Sequence, residues 1–386
     1  MQPLTAAPRD AFTVAQVTAL LVAPDIAVDF GVELLDASLN LVADISADVA
    51  GGTVHRDNLA AVHGTVDLTI SRQLAWGRDR VRPFMLLSSA TAGVTRCRFN
   101  LGVYLLMTPA TPLAETPITV AVVGYDQLHL LQDNIGDSYF VAAGSNVLTA
   151  VRAALTAAGI TAPVLLDSTA SASVLASDLA FPLTSSASPT WLQVVNALLA
   201  TISYRGIWCD QDGNFRSEPY VNPSARPVEW VFKVGDLLTG VVATDRTVVS
   251  DVWGTANWWR FVANGLAAAP LELVVGVSTN NGQYTVQNTA TGLSSQASVG
   301  RIVHAPVRFL DAVNDASLQA QGDAIVAADK RTTEVLTLKV SPMPIFWHFD
   351  VSVISDSALG SDRKTQTRSW ALPLDGSDAD VILETI

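Results

Sequence analysis

At 386 residues the chain has room for two or three domains of ordinary size, each able to bury a sizeable core. Hydrophobic residues make up 49% and charged residues 15%, a balance that excludes a disordered chain. The net charge of −13 argues against ordinary phosphate-backbone binding, which needs clustered Lys and Arg, and against a sequence-reading nucleic-acid module.

In chain order, residues 1–10 carry proline and charge where a signal peptide needs an apolar core, so export by that route is not expected. Residues 13–21 suggest a short helix ending before Pro24. Alternation of polar and apolar residues predicts strands over 65–71, 81–87, 98–106 and 118–123. Ser145 as cap, Val147, Val151 and Leu155 as a stripe and Gly159 as a stop predict a helix over 146–158. Ser188-Pro189 followed by Trp191, Val194, Val195, Leu198 and Leu199 predicts a second over 189–202. A hairpin follows, with arms 203–208 and 214–218 around Asp210-Gln211-Asp212-Gly213, and Pro219, Pro223 and Pro227 mark an extended exit at a domain boundary.

The longest apolar run, 265–277, is broken by Pro270 and Glu272 and falls short of the ~20 residues that span a bilayer, so no membrane segment is expected. Residues 311–330 have helical spacing, weakened by Gly322. Strands are predicted over 333–340, 348–354, 365–372 and 379–384. These four follow the order of the first four with similar gaps, roughly 16 and then 17 residues between the first starts, and read as an internal duplication.

Residues that could carry chemistry each have a plainer reading. Asp210, Asp212 and Asn214 open like a calcium loop, but Phe215 stands where glycine is needed and Val221 where the bidentate carboxylate belongs, which favours a turn. The histidines at 55, 63, 129, 304 and 348 lack zinc spacing; His55, Asp57 and His63 could converge on a metal, with residues flanking a loop before the first strand as the favoured reading. Gly292-Leu293-Ser294-Ser295 lacks the second glycine of a nucleophile elbow. Glu218, Glu229 and Asp236 are acids of the type that glycoside cleavage uses, with turn and surface roles as the plainer alternative. No glycine-rich phosphate cradle follows a strand. Catalytic, cofactor and metal residues are therefore assigned to none. Cys97 and Cys209 lie in strand-like sequence and read as buried free thiols of a protein made in a reducing cytoplasm. Arg72, Arg78, Arg80 and Arg82 around Trp76 suit either a nucleic-acid patch or, favoured here, a subunit contact in which guanidinium forks meet a neighbour's carboxylates. Trp253, Trp258, Trp259 and Phe261 suit a strand core first and an exposed aromatic site second.

Several phrases, taken in order, resemble phage tail hub proteins, also called baseplate hub or tail-associated proteins. Trp76-Gly77-Arg78-Asp79-Arg80-Val81-Arg82-Pro83, Gly102-Val103-Tyr104-Leu105 and Val123-Gly124-Tyr125-Asp126 are similar to the first barrel of that family. Val151-Arg152-Ala153-Ala154-Leu155, the run from Trp191 to Leu199, Tyr204-Arg205-Gly206-Ile207-Trp208 and Glu218-Pro219-Tyr220 are similar to its helical insertion. The resemblance runs from about residue 25 to the end and is thinnest over 265–308.

It implies a mainly β fold with an α+β insertion: two related antiparallel β-barrel tube domains plus a helix-containing domain. The expected division is an N-terminal arm and first barrel (1–125), an α+β domain with two helices and a hairpin (126–227), a second barrel (228–264 and 331–386) and an insertion with one helix (265–330). It further implies a homotrimeric ring at the virion tail tip, made in the bacterial host cytoplasm. The ring would join a distal tail or tail tube protein, meet tape-measure and fibre or tip proteins, and continue the DNA channel; an acidic wall suits DNA that must pass without sticking. Ending at Ile386 after its last strand, the chain is expected to need partners for host binding and wall digestion. The rival readings are a β-scaffold cell-wall polysaccharide hydrolase and a carbohydrate-binding protein using Trp258 and Trp259.

Overall fold

The computed structural model describes all residues except 7–8, 110–118, 185–187, 236–240, 251, 264–277, 281, 311, 313–314, 332–333 and 361. The apolar run 265–277 and the first residues of three expected elements, 118, 311 and 333, thus lie outside the described residues.

An N-terminal arm leads into α1 (Val14–Leu21), whose start is fixed by reciprocal bonds: Gln16 N donates to Thr13 Oγ1 (3.3 Å) and Thr13 N to Gln16 Oε1 (3.0 Å). Val17, Leu20 and Leu21 form its buried stripe. The arm is pinned by Arg9, which donates to the carbonyls of Pro3 and Arg98 and lies 4.5 Å from the Phe99 ring centre.

The first β block comprises β1 (Ala27–Leu35), β2 (Leu41–Asp44), β3 (Val49–Asp57), β4 (Gly64–Ile70), β5 (Arg80–Ser89), β6 (Val94–Asn100), β7 (Tyr104–Leu106) and β8 (Val120–Asp126). They pair in the order β3-β4-β8-β7-β5-β1-β2, antiparallel throughout, with β6 also on β5. Residues 98–106, expected as one strand, are two. Gly102 breaks the run at φ +101°, and a Cβ there would lie 2.7 Å from the Tyr104 hydroxyl, which donates to Leu101 O.

The helical region contains β9 (Tyr139–Val141), α2 (Val147–Ala157), β10 (Val164–Leu166), β11 (Leu179–Phe181), α3 (Trp191–Thr201), β12 (Trp208–Cys209) and β13 (Phe215–Ser217). Both helices are capped one or two residues later than the sequence suggests. Asn146, not Ser145, accepts from Thr149 N (3.0 Å), and Thr190 with Gln193 closes a capping box after Ser188-Pro189. Val147, Val151 and Leu155 of α2 bury with Val194, Val195, Leu198 and Leu199 of α3 in a core of their own. The hairpin arms are shorter than expected, and the turn is held by Asp210, which accepts from Asp212 N, Asn214 N and Arg216 Nε, with Gly213 at φ +85°.

The chain then forms β14 (Trp230–Lys233) and β15 (Val242–Ser250) before a small layer of β16 (Trp258–Ala263), β17 (Ser278–Asn280), β18 (Gln283–Gln287), α4 (Gln296–Val299), β19 (Arg308–Leu310) and α5 (Asp315–Arg331). β16 was expected with the second barrel; it pairs instead with β18 and β19 over a third core. Gly322, a weakness for a helix by propensity, is what lets α5 approach, since a Cβ there would meet Tyr284 at 2.6 Å and Phe261 at 2.8 Å.

The second β block is completed by β20 (Glu334–Val340), β21 (Val351–Ser355), β22 (Arg363–Pro373) and β23 (Ala379–Thr385). Its order is β15-β20-β23-β22-β21-β14, and a bridge between Val234 and Val242 brings its ends together. Taken strand for strand, this matches β3-β4-β8-β7-β5-β1 of the first block. The expected duplication is thus present in the topology, with one departure: β1 runs antiparallel to β5, whereas β14 runs parallel to β21. Both blocks share one hydrophobic core, with Val54, Val66, Leu338, Trp370, Leu372 and Val381 among its buried members.

Candidate functional site

The two blocks meet at one ladder, where Ser369–Pro373 of β22 lies antiparallel to Thr53–Asp57 of β3. Trp370, Leu372 and Val54 put apolar side chains into the core beneath it. β3 is therefore paired on both edges, by β4 and by β22. Its counterpart β15 pairs along one edge with β20 and, among the described residues, meets only the single Val242 bridge on the other. Asp245, Val248 and Val249 of β15 are exposed, Val249 at 59%; at the far end of the same sheet β2 exposes Leu41 and Val42 at 60% each. Bare edge strands that show valine and leucine are sites for pairing with another chain.

The arginine segment between β4 and β5 lies at a different end of the first block. Gly77 N donates to Leu106 O, which fixes the segment beside the end of β7. Arg78 is 80% exposed and pairs only with its neighbour Asp79 among the described residues, and Arg72 pairs with Asp48 at 3.2 Å. Trp76 packs against the core from a half-buried position. Arg80 and Arg82 face inward partners. Arg80 is buried, donates to Arg78 O (3.2 Å), and has its guanidinium pulled down by burial against the opposing effect of Asp36. Arg82 and Arg98 both donate to Glu33 at 2.6 Å, the cross-strand partner of Arg82. Burial raises the Glu33 carboxyl, but the two guanidiniums more than offset this and leave it below its usual range. Of the named arginines, Arg72 and Arg78 are thus the two that project.

A cleft of about 520 Å³ opens where the β3–β4 loop, α3, the hairpin and the turn before β21 converge. Behind it, Arg56 donates from Nε to Asn58 Oδ1 (3.0 Å) and from Nη2 to His348 Nδ1 (3.1 Å). His348 Nδ1 also lies 3.2 Å from Asn58 Oδ1, so it stands between a guanidinium donor and an amide oxygen acceptor. The His348 ring stacks on Trp208 (4.6 Å) and lies 5.0 Å from the His63 ring. Burial, reinforced by Arg56, holds His63 neutral at about 3 and His348 well below its usual range. Burial lifts the Asp126 carboxyl to about 6 despite Arg56 and the amides of Gly64 and Leu128. Sequence reasoning passed over this network. The available signal was strand parity, since Arg56 shares its inward face with Val54 and an inward charge needs buried partners.

The other candidates are dispersed. His55 pairs with Asp67 on β4 at 3.0 Å while His63 turns to the cleft, so His55, Asp57 and His63 do not converge. Ser295 caps α4. Glu218 lies 3.8 Å from Arg205 and Glu229 pairs with Arg226, while Asp236 lies outside the described residues. Trp258 and Trp259 are buried, with Trp259 Nε1 donating to Asp329 at 2.9 Å, so neither offers a face to sugar; Trp253 is the exposed one of the run. Cys97 and Cys209 are buried free thiols. Among the described residues no three His, Cys, Asp or Glu side chains group as a metal site, and no helix is long and apolar enough to cross a membrane.

No protein-family model and no curated protein matches the chain. Solved structures do. A tail protein from Neisseria meningitidis MC58 superposes with a TM-score of 0.61 at 12% identity, over 92% of this chain and 96% of that one. The 43 kDa tail protein of prophage MuSo2 from Shewanella oneidensis gives 0.59 at 12% identity, over 92% and 98%. Prophage tail protein gp18 from Listeria monocytogenes EGD-e gives 0.51 at 8% identity, over 92% and 94%. The chain, mainly β with helical parts, therefore has the fold shared by these phage tail proteins, the fold to which its ordered sequence phrases pointed.

Proposed function

We propose that the chain is a structural component of a phage tail tip and acts by assembly rather than catalysis. Three copies form a ring in which two barrel units per copy present six similar faces, around a channel that continues the tail tube. The observation that carries this is the contrast between the β3–β22 ladder and the β15 edge, which among the described residues makes only the Val242 bridge. If each block is one step around an axis, the ladder inside the chain is one joint, and the unpaired β15 edge is half of the next. A neighbouring copy supplies the other half, which would bury Val248 and Val249.

In this reading the first barrel with its arm (1–125) and the second barrel (most of 228–250 and 331–386) form the ring, and the α+β region (126–227) stands outside it. Arg72 and Arg78 are its contact residues, well placed by exposure, with Trp76 behind them and Arg80 and Arg82 holding the segment in place. The partners are a distal tail or tube protein, the tape-measure protein and tip or fibre proteins, and the site of action is the virion after synthesis in the host cytoplasm. The names of proteins with this fold support the tail setting. Native mass spectrometry tests the reading: the mass of three chains is expected, and a monomer at all concentrations, without affinity for a tail tube protein, would sink it.

A further inference from the structure

β3 and β15 agree in more than their place in the strand order. Each has nine residues and a register shift after its first pair, Val49 with Ile70 in β3 and Val242 with Val340 in β15. Val54 and Val248 then stand opposite the third residue of the next strand, Val66 in β4 and Leu336 in β20. Val54, faced by Leu372 of β22, is wholly buried, whereas Val248 is 42% exposed. Beside Val248 a hollow of about 420 Å³ remains, walled by Leu336, Leu338, Ile354 and Leu359. An exposed valine over an apolar hollow at a strand edge marks a place for another strand to cover.

The duplication identifies that strand. β22 divides its edge away from β23 in two: 351–354 of β21 lies on 363–366, and 53–57 of β3 lies on 369–373. β7 holds the place of β22 in the first block. Its edge away from β8 begins in the same way, with Arg80 and Val81 of β5 on Leu105 and Tyr104. The chain then runs on beside β8, since Met107 N donates to Val123 O, and Met107 and Thr108 are exposed. They occupy the stretch that, in β22, receives β3.

The register follows from the same correspondence. Ser250 holds the place of Arg56, each opposite the first residue of the next strand, Glu334 or Gly64, and Arg56 faces Trp370. Trp370 in turn stands opposite Val381, the third residue of β23. Continuing from Met107 beside Val123, Thr108 comes to Val122, the third residue of β8.

Charge agrees with this pairing. Gly77 N donates to Leu106 O, so the arginine segment, with Arg72 and Arg78 exposed, borders the same stretch. A second copy brings a net charge of −13, which exposed guanidiniums attract.

We propose that β15 of one copy adds to the end of β7 in the next, with Ser250 opposite Thr108 and Arg78 at the margin of the joint. The joint repeats between copies the β3–β22 ladder within each, and it rests on the ring reading above. It is head-to-tail: a copy's β15 and its β7 end serve different neighbours, as a closed ring requires.

The double variant Thr108→Cys/Ser250→Cys tests this on the full chain. Directly opposed residues of an antiparallel ladder sit about 4.5–5.5 Å apart between Cα atoms, within disulfide reach. Both positions are exposed and the native Cys97 and Cys209 are buried, so folding should hold with little background linkage. After mild oxidation, denaturing gels should show chains linked in twos and threes, while Thr108→Cys alone and Ser250→Cys alone stay as single chains. Native mass spectrometry on the same samples gives the assembly state. A three-chain assembly in which the double variant does not link, or in which Ser250→Cys alone does, would overturn this joint and leave the ring standing. A monomer by mass would overturn the ring and the joint with it.

Discussion

β3 and β15 hold the same place in two blocks of the same strand order, yet among the described residues β3 is paired along both edges and β15 along one. β3 has a ladder on each side and buries Val54 completely, while β15 ends its outer side in exposed Val248 and Val249. Edge strands of self-contained chains are usually blunted by charge, proline or a bulge. β15 carries Asp245 and Arg246 in its first half, and Arg246 is drawn back to Asp356, while its second half shows exposed Val248 and Val249. The lesson is that strands in equivalent places can differ in whether the chain supplies their second edge, and an edge not supplied is open to pairing.

The comparison breaks most severely at the closed joint. Trp370→Ala should cost about 3–5 kcal/mol in chemical denaturation, because it empties the core under the β22–β3 ladder; a loss under about 1 kcal/mol would mean that the joint does not hold the blocks together. Next in size is acidity at the cleft beside that joint. His63 binds its proton at about 3 when folded against 6.5 in the free side chain, so the unfolded chain takes up protons first. The stability this histidine contributes is present above pH 6.5 and is lost as pH falls toward 3, at about 1.4 kcal/mol per pH unit. His348 acts in the same sense. Asp126 opposes them: with its folded value raised to about 6 from 3.8, its contribution is present below 3.8 and lost as pH rises through 6. Thermal melts of His63→Gln should fall less steeply below pH 6.5 than those of the parent chain, and those of Asp126→Asn more steeply; equal slopes would contradict the burial argument.

Smaller effects on folding sharpen the open edge. Val249→Lys should leave stability within about 0.5 kcal/mol, since the side chain is exposed, yet return the ring to monomers in sedimentation runs. Arg78→Ala should change stability as little and weaken association by a smaller factor that vanishes at high salt. Association of Val249→Lys indistinguishable from the parent would move the interface away from β15.

Much of this architecture was legible in the sequence because it rests on short-range pattern. Alternation marked β4, β5 and the four late strands, and helical stripes marked α2 and α3. Boundaries slipped where a neighbouring polar residue competed for the cap, as Asn146 did with Ser145, or where one glycine turned the backbone, as at Gly102. The duplication was visible in order and spacing, but the parallel run of β14 against β21 was not, since direction is set by partners distant in sequence. Arginine clustering located an exposed segment without separating Arg78, which projects, from Arg82, whose carboxylate partner Glu33 lies far back in the chain. The cleft was the least legible feature, assembled from residues 58–63, 192–223 and 348–366 that share no local motif.

Electron microscopy of the purified chain tests the central claim most directly. The account predicts rings of threefold symmetry with two similar lobes per copy around an open channel, and a continuous strand ladder at β15 between copies. Isolated monomers, or a closed twofold dimer with β15 left at the surface, would contradict it.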